Sequence, residues 1–286
     1  MTIRTHVKDA NTWRAIETIH VQIGEEWKRT KGGWVKENGS LLLTHIPTVR
    51  YTFTANYNDL NALNFANFFL GYETVLPVRL ILTIPAGITI GQSYSYSGSR
   101  PNEVQTKNSP AAIYVAGMPA GSEVIIYNDG YISGCGGQGG ANRTPINGGA
   151  RGTQWAGGDA IAINQTGVGV HIVNNGTIQG GGGGGAGGDW SGDNSIGGGG
   201  GAGSDGGRGG AGYSGNRNYG VNGTLTTGGQ GTHNSYNSWG GNAGMPGKYG
   251  GNFNSTGQVG QPGACVVGNQ YIYWWATGNR LGPIIQ

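Results

Sequence analysis

Residues 122–137 read Ser-Glu-Val-Ile-Ile-Tyr-Asn-Asp-Gly-Tyr-Ile-Ser-Gly-Cys-Gly-Gly, and residues 169–183 read Gly-Val-His-Ile-Val-Asn-Asn-Gly-Thr-Ile-Gln-Gly-Gly-Gly-Gly. Tyr127–Gly134 resembles Val173–Gly180, 46 residues further on. Each stretch opens with an alternating run, Ser122–Ile126 or Gly169–Val173, that predicts a strand with one buried face. Asn-Asp-Gly and Asn-Asn-Gly then predict a tight turn, because these residues tolerate positive φ. A second short strand follows, and after it a glycine run. The repeated unit is thus strand, turn, strand, glycine run.

Glycine is concentrated where those runs begin. The chain has 62 glycines in 286 residues, 11 of them in residues 1–130, 48 in residues 131–263 and three in the rest. The composition switches near Gly130, which places a boundary at about Ala116 to Pro119. A disordered linker is one reading of such a stretch. Flexible linkers carry few large side chains, whereas this one contains Tyr131, Trp155, Trp190, Tyr213, Tyr219, Tyr236, Trp239, Tyr249 and Phe253. The alternative is ordered. A polyproline-II helix made of glycine has three residues per turn and no internal hydrogen bonds. Without Cβ atoms, neighbouring helices approach closely enough to satisfy one another's backbone groups. Gly180–Gly188 and Gly197–Gly212 suit such packing.

The N-terminal region repeats with a period of 14. Val7, Val21 and Val35 open the units, and Trp13, Trp27 and Leu41 take the seventh position. Each unit reads as a short strand, a polar turn and a second short strand. The Trp residues suit a small β core, and residues 1–46 suit an attachment module. Between this region and the glycine switch, Tyr51–Thr54, Val78–Ile84 and Ile88–Ile90 predict strands. The stretch Tyr57–Tyr72, with apolar residues at Leu60, Leu63, Phe65, Phe68, Phe69 and Leu70, predicts the one helix, with Asn58 or Asp59 as N-cap. Ser93–Asn108 reads as a loop. Gln270–Trp275 predicts a late strand that returns to pair with or cover the glycine-rich region.

Composition excludes several classes. Lys and Arg number 17 against 14 acidic residues, a net charge of +3. That charge is too small and scattered for electrostatic DNA binding. No apolar run is long enough for a membrane-spanning helix. Met1–His6 lacks the apolar core of a secretory signal, so a classical secreted chain is not expected. The Gly-X-Y period of collagen is absent. Cys135 and Cys265 are too few for a disulfide scaffold, and free buried thiols are the expected state for a cytosolic assembly.

Ile84-Pro-Ala-Gly-Ile-Thr-Ile-Gly91, Pro119-Ala-Gly-Ser-Glu-Val124 and the Asn-Asp-Gly-Tyr-Ile-Ser-Gly unit with its polyglycine continuation resemble glycine-rich tail proteins of tailed bacteriophages. The Asn174–Gln179 unit strengthens the likeness, and the 14-residue Trp repeats look like modules near the N-termini of such proteins. A more distant likeness is to the distal long-tail-fibre adhesins of T-even-like phages, which have packed polyglycine-II helices with receptor-binding loops between them. The glycine runs here are less regularly spaced, and the N-terminal half looks different. The resemblance implies a mainly β chain in three parts. Residues 1–46 are the short β repeats for attachment to other tail proteins. Residues 47–117 are a small β-rich domain with one helix. Residues 118–286 are a glycine-rich, polyglycine-II-type receptor-binding domain. It also implies a virion component at a tail tip or fibre, assembled in the host cytoplasm. Tail fibres suggest a homotrimer, with three copies helping to bury the middle β region; the adhesin likeness suggests one copy capping a trimeric fibre.

The expected binding residues lie on polar, aromatic loops between glycine runs. They are Asp189, Trp190, Asp193 and Asn194; Asn216, Arg217, Asn218 and Tyr219; and His233, Asn234, Tyr236, Asn237 and Trp239. Tyr and Trp supply contact area at low entropy cost, and Asn and Ser supply adaptable hydrogen bonds, the combination antibody paratopes use. The same set suits an outer-membrane protein or a surface glycan. The competing reading of each loop is a cap whose aromatics pack on the ends of the glycine helices, and a purely structural tail part is the alternative function. No cofactor, metal site or nucleic-acid partner is expected. Gly-x-Gly-x-x-Gly is uninformative in a stretch one-third glycine. Gly247-Lys248 is followed by Tyr249 rather than the Ser/Thr of a P-loop. His6, His20, His45, His171 and His233 lack metal-ligand spacing. Asp189 and Asp193 on a polar loop read as solvated acids rather than a glycosidase pair, so no enzyme activity is expected.

Overall fold

A computed structural model describes residues 20–23, 26–29, 33–37, 40–71, 73–97, 104–140, 156–186, 197–209, 220–231, 239–247 and 259–286. Two antiparallel hairpins come first: β1 (His20–Ile23) with β2 (Glu26–Arg29), and β3 (Gly33–Glu37) with β4 (Ser40–His45). They realise the strand–turn–strand form expected of the second and third 14-residue units. The first unit lies outside the described residues.

From Thr48 the chain winds as a three-sided parallel solenoid. Its first coil is β5 (Thr48–Thr52), β6 (Tyr57–Asn58) and β7 (Leu60–Asn61), followed by α1 (Ala62–Leu70). The second is β8 (Arg79–Ile84) and β9 (Thr89–Gly91), then an inserted hairpin of β10 (Tyr94–Ser97) and β11 (Val104–Lys107), then β12 (Ala111–Val115). The third is β13 (Glu123–Asn128), β14 (Tyr131–Ser133) and β15 (Asp159–Ile163). The fourth is β16 (Gly169–Asn174), β17 (Thr177–Gln179) and β18 (Val266–Val267). The fifth is β19 (Ile272–Ala276), β20 (Asn279–Leu281) and β21 (Ile284–Ile285).

Each coil gives one strand to each of three five-stranded sheets: β5-β8-β13-β16-β19, β6-β9-β14-β17-β20 and β7-β12-β15-β18-β21. All neighbours in these sheets are parallel. Stacking like on like fills the interior. Val49, Leu80, Val124, Val170 and Ile272 form one inward ladder in register. Ile90, Ile132 and Ile178 form a second, and Leu60, Ile113, Ile161 and Val266 a third. All are buried in one continuous core. Each such side chain contributes about 1.5–3 kcal/mol on leaving water.

The 46-residue repeat is one turn of this solenoid: Asn128 stacks on Asn174, and Tyr131 on Thr177. The corner is a polar ladder. Asn128 Nδ2 donates to Asn174 Oδ1 at 2.7 Å, and Asn174 Nδ2 donates to the Thr277 carbonyl at 2.7 Å. Neither Gly130 nor Gly176 has the positive φ expected of it. Glycine is required there by close stacking: a Cβ on Gly176 would lie 2.2 Å from the Gly130 carbonyl oxygen.

Three further expectations are corrected. Strands from both sides of residue 117 share all three sheets, so the β-rich part of 47–117 continues through the later coils. The segment read as a loop over 93–108 contains the β10–β11 hairpin, whose register pairs Tyr94 with Lys107 and Tyr96 with Gln105. The helix is capped by Asn61, whose side chain accepts from Asn64 N, and not by Asn58 or Asp59. Asp59 has φ 57, and its carboxylate is taken by Ser93 and Ser109. The expected late strand does return to pair within the glycine-rich stretch 131–263, where β19 lies beside β16.

Glycine segments leave the solenoid at a single corner, between the second and third strands of a coil. The insertion there is the β10–β11 hairpin in the second coil, residues 134–158 in the third and residues 180–265 in the fourth. Segments 134–140, 180–186, 205–209, 227–231 and 245–247 run away from the solenoid; 156–158, 197–204, 220–224, 239–243 and 259–264 return. They bond to one another outside any helix or sheet, and bonds to a given neighbour recur every third residue. Gly137 N and Gly140 N donate to Gly182 O and Gly185 O, each at 2.8 Å. Gly136 N and Gly139 N donate to Asp205 O and Arg208 O. Returning chains show the same step with opposite sense: Gly260 N and Gly263 N donate to Gly184 O and Gly181 O, each at 2.9 Å.

Candidate receptor-binding end

The glycine layer has two unlike ends. Toward the solenoid, successive segments are joined by short described turns. One is built on Thr224 and Thr227, where Thr224 N donates to Thr227 O at 2.8 Å. Another spans Asn242–Met245, closed by Met245 N donating to Asn242 O at 2.9 Å. Here the layer is tied to the sheets. Gly134 N donates to Gln179 O, Gly180 N to Leu281 O, and the buried Gln179 Nε2 to Leu225 O at 2.7 Å.

At the far end the long connections begin and end. Gly140 N donates to Gly185 O, Gly198 N to Gly140 O, Gly185 N to Gly199 O, and Gly200 N to Val221 O. Val221 N donates to Gln230 O, Gly240 N to Gly229 O, Gly260 N to Gly184 O and Gly247 N to Gly260 O. The stems flanking 187–196, 210–219, 232–238 and 248–258 therefore meet in one hydrogen-bonded layer, together with the exit to 141–155. Strand order and the three-residue step bring the described residues that flank these stretches to the same end of the layer.

Of the expected binding residues, only Trp239 is described. It is half-buried at the stem of the third loop, next to Gly240. Asp189, Trp190, Asp193, Asn194, Asn216, Arg217, Asn218, Tyr219, His233, Asn234, Tyr236 and Asn237 lie outside the described residues. The stems of their three loops are brought together. Sequence reading left out 141–155 and 248–258, although the exits at Gly140 and Gly247 join the same layer. The available signal was the pattern itself, since each is a polar stretch bounded by glycine segments.

The β10–β11 hairpin braces the side of the layer. Gln105 acts as an extra backbone: its Nε2 donates to Gly136 O, and its Oε1 accepts from Gln138 N, both at 2.8 Å. Tyr94 donates its hydroxyl to Gly206 O at 2.5 Å. The Arg208 guanidinium lies 3.9 Å from the Tyr96 ring centroid, and Lys107 Nζ donates to Gly157 O at 2.7 Å. Burial raises the Tyr94 phenol far above its ordinary range, so it stays a hydrogen-bond donor. Cys135, buried beside Gln92, is pushed up to about 12 by desolvation, and Cys265 is also raised by burial. Both are free thiols, suited to packing rather than to nucleophilic chemistry.

The first coil carries an aromatic cluster. Tyr51, Phe53, Tyr57, Phe65 and Phe69 form a cluster of tilted and edge-on rings. Phe68 remains 79 % exposed and Val75 85 % exposed beside it.

A parallel solenoid thus carries a glycine layer that gathers the stems of long insertions at one end. A family model described as phage tail fibre adhesin Gp38 matches residues 48–285, and the chain belongs to that family. Among solved structures, the gp37–gp38 adhesin tip complex of the bacteriophage S16 long tail fiber is similar in fold, with a TM-score of 0.52 and 24 % identity. The match covers 85 % of this chain and 84 % of the matched chain. Comparison with curated proteins finds no match.

Proposed function

We propose that this phage tail-fibre adhesin is the receptor-binding tip of its fibre. In this reading it recognises an outer-membrane protein or surface glycan of the host through the loops at the far end of the glycine layer. The carrying observation is the convergence of loop stems at the end remote from the solenoid. Polar, aromatic loop sequences on a rigid base have the properties of a paratope. The base is read as ten polyglycine-II helices, since the three-residue recurrence of the inter-segment bonds matches three residues per turn.

Attachment to the fibre is assigned to residues 1–46 and to the apolar face around Phe68, Phe69 and Val75, at the first coil. An exposed apolar cluster of this kind suits a protein partner. The argument for a homotrimer weakens, because a single chain closes the solenoid core by itself. One copy on a trimeric fibre fits that core better. In either case the protein is a virion component assembled in the host cytoplasm.

The test is binding of labelled protein to a strain panel that includes the host, with a Tyr219→Ala, Tyr236→Ala, Trp239→Ala variant alongside. Saturable, strain-selective binding that the variant loses, at unchanged thermal stability, is the expected result. Absence of binding to the host would leave a structural tail part as the account.

A further inference from the structure

A second patch lies far in sequence from the distal loops, on the outer face of the β5-β8-β13-β16-β19 sheet. In β19, Tyr273 is 63 % and Trp275 57 % exposed. The register of β16 with β19 shifts between Ile172 and Val173, so Trp274 and Ala276 pair while Trp275 is the extra residue of a bulge. Bulges re-aim side chains and are frequent beside functional sites. His171, opposite Tyr273, is caught by both rings, with centroids 5.1 Å away in a stacked arrangement and 4.9 Å away in a tilted one. Its Nδ1 is buried and has no hydrogen-bond partner among the described residues, an arrangement with a cost that folding alone does not require. Tyr127, on the same outer face, is also exposed.

Beside the rings lies a polar edge. Gly169 supplies no side chain next to His171, and a Cβ there would meet His171 Nε2 at 3.3 Å and Glu123 Cγ at 3.8 Å. Across that gap Glu123 pairs with Arg79 at 2.5 Å, both partly exposed. His171 is thus the ring next to the Glu123 carboxylate, and Tyr273 stands on its other side, one strand further from the Glu123–Arg79 pair.

We propose that Tyr273, Trp275 and His171, edged by Glu123 on the His171 side, form a platform for a pyranose ring of a bacterial surface glycan. The proposal rests on the adhesin reading, which places this protein against the cell envelope, and adds a contact separate from the loops. The C–H bonds on one face of a pyranose are polarised by the ring oxygens and meet the negative face of an aromatic ring. The sugar's hydroxyls require polar acceptors and donors at the rim, and the Glu123 carboxylate stands there on the His171 side. Size separates this occupant from a protein. A Tyr and a Trp bury about 150–250 Å² each when covered, so at the observed exposure the pair offers on the order of 250 Å². A stable protein interface takes about 800 Å² per partner.

The experiment uses the full chain with methyl β-D-glucopyranoside and methyl β-D-galactopyranoside, and sorbitol as an acyclic polyol control. Saturation-transfer NMR and tryptophan fluorescence read binding. The expected result is saturable binding of at least one glycoside and none of sorbitol. A Tyr273→Ala, Trp275→Ala variant should bind at least about tenfold more weakly at unchanged melting temperature. A Tyr273→Phe, Trp275→Phe variant should retain most of the affinity, which also covers the case in which the alanine variant unfolds. The distal-loop variant should bind the glycoside like the parent. No saturable glycoside binding, or equal binding by parent and folded alanine variant, overturns the platform. So does a variant that instead loses assembly with the fibre. If the parent still binds host cells while glycosides do not bind, the platform falls and the adhesin reading stands.

Discussion

The solenoid and the glycine layer satisfy the same backbone by opposite means. In the solenoid, parallel strands bond coil to coil, and aliphatic ladders such as Leu80–Val124–Val170 supply the driving force by leaving water. In the glycine layer there is little apolar side chain to bury, and the segments rely on mutual N–H···O=C bonds at near-contact distance. The first arrangement needs side chains of matched size; the second needs none at all. The lesson is that glycine, ordinarily a source of disorder, becomes a rigid building material when every chain bonds to several neighbours.

The sharpest way to break the comparison is to change one side chain in each region, adding a methyl to the layer and removing methyls from the solenoid. A Cβ on Gly200 would sit 1.7 Å from the Gly207 carbonyl oxygen, with no flexible side chain to yield. Gly200→Ala is expected to destabilise the protein by more than about 4 kcal/mol, a range reached by few single substitutions. Removing methyl groups from the solenoid has the next effect. Ile126, fully buried, should cost about 2–5 kcal/mol on Ile126→Ala. Both are read by denaturant unfolding, and a Gly200→Ala variant as stable as wild type would refute close packing of the layer.

The corner ladder comes next. Asn174→Ala leaves Asn128 Nδ2 and the Thr277 carbonyl without their short partners, with an expected loss of about 1–3 kcal/mol. The smallest effect is expected at Asp159, where the two regions meet. Its Oδ1 accepts from Ala264 N at 2.7 Å, and burial raises its pKa, opposed by that bond and by Lys107. A raised folded pKa means that protonation favours folding. That contribution is present below the ordinary aspartate value of about 3.9 and is lost as pH rises through the folded value. Asp159→Asn should therefore raise the melting temperature at neutral pH, and the difference should close in acid. A difference that grows in acid would reverse the assignment.

Much of this was legible in the residues. The alternation in Glu123–Asn128 and Gly169–Asn174, the turn after each and the glycine run beyond gave the strands, the corner and the layer. The solenoid was not legible, for a physical reason. Its coils receive insertions of unequal length at one corner, a hairpin in the second coil and residues 180–265 in the fourth, so no constant period survives except the 46-residue step. Strands as short as β6, β7 and β18 carry too little alternation to be seen alone. The β10–β11 hairpin read as a loop because Tyr94, Gln105 and Lys107 donate to glycine carbonyls and Tyr96 accepts from Arg208 N, rather than presenting apolar groups to a core. For the candidate site, composition singles out three polar, aromatic stretches between glycine runs, which lie outside the described residues apart from Trp239. That their stems meet at one end follows from the antiparallel course of the segments, which no local pattern encodes.

The most direct test of the account is amide hydrogen exchange of the full chain, comparing 180–186 and 197–203 with β13 and β16. If the glycine segments are a bonded layer cooperative with the solenoid, their amides should exchange through the same large opening as those of the strands. Exchange of Gly182, Gly185 and Gly201 at the rate of an unstructured peptide, with β13 and β16 protected, would contradict it.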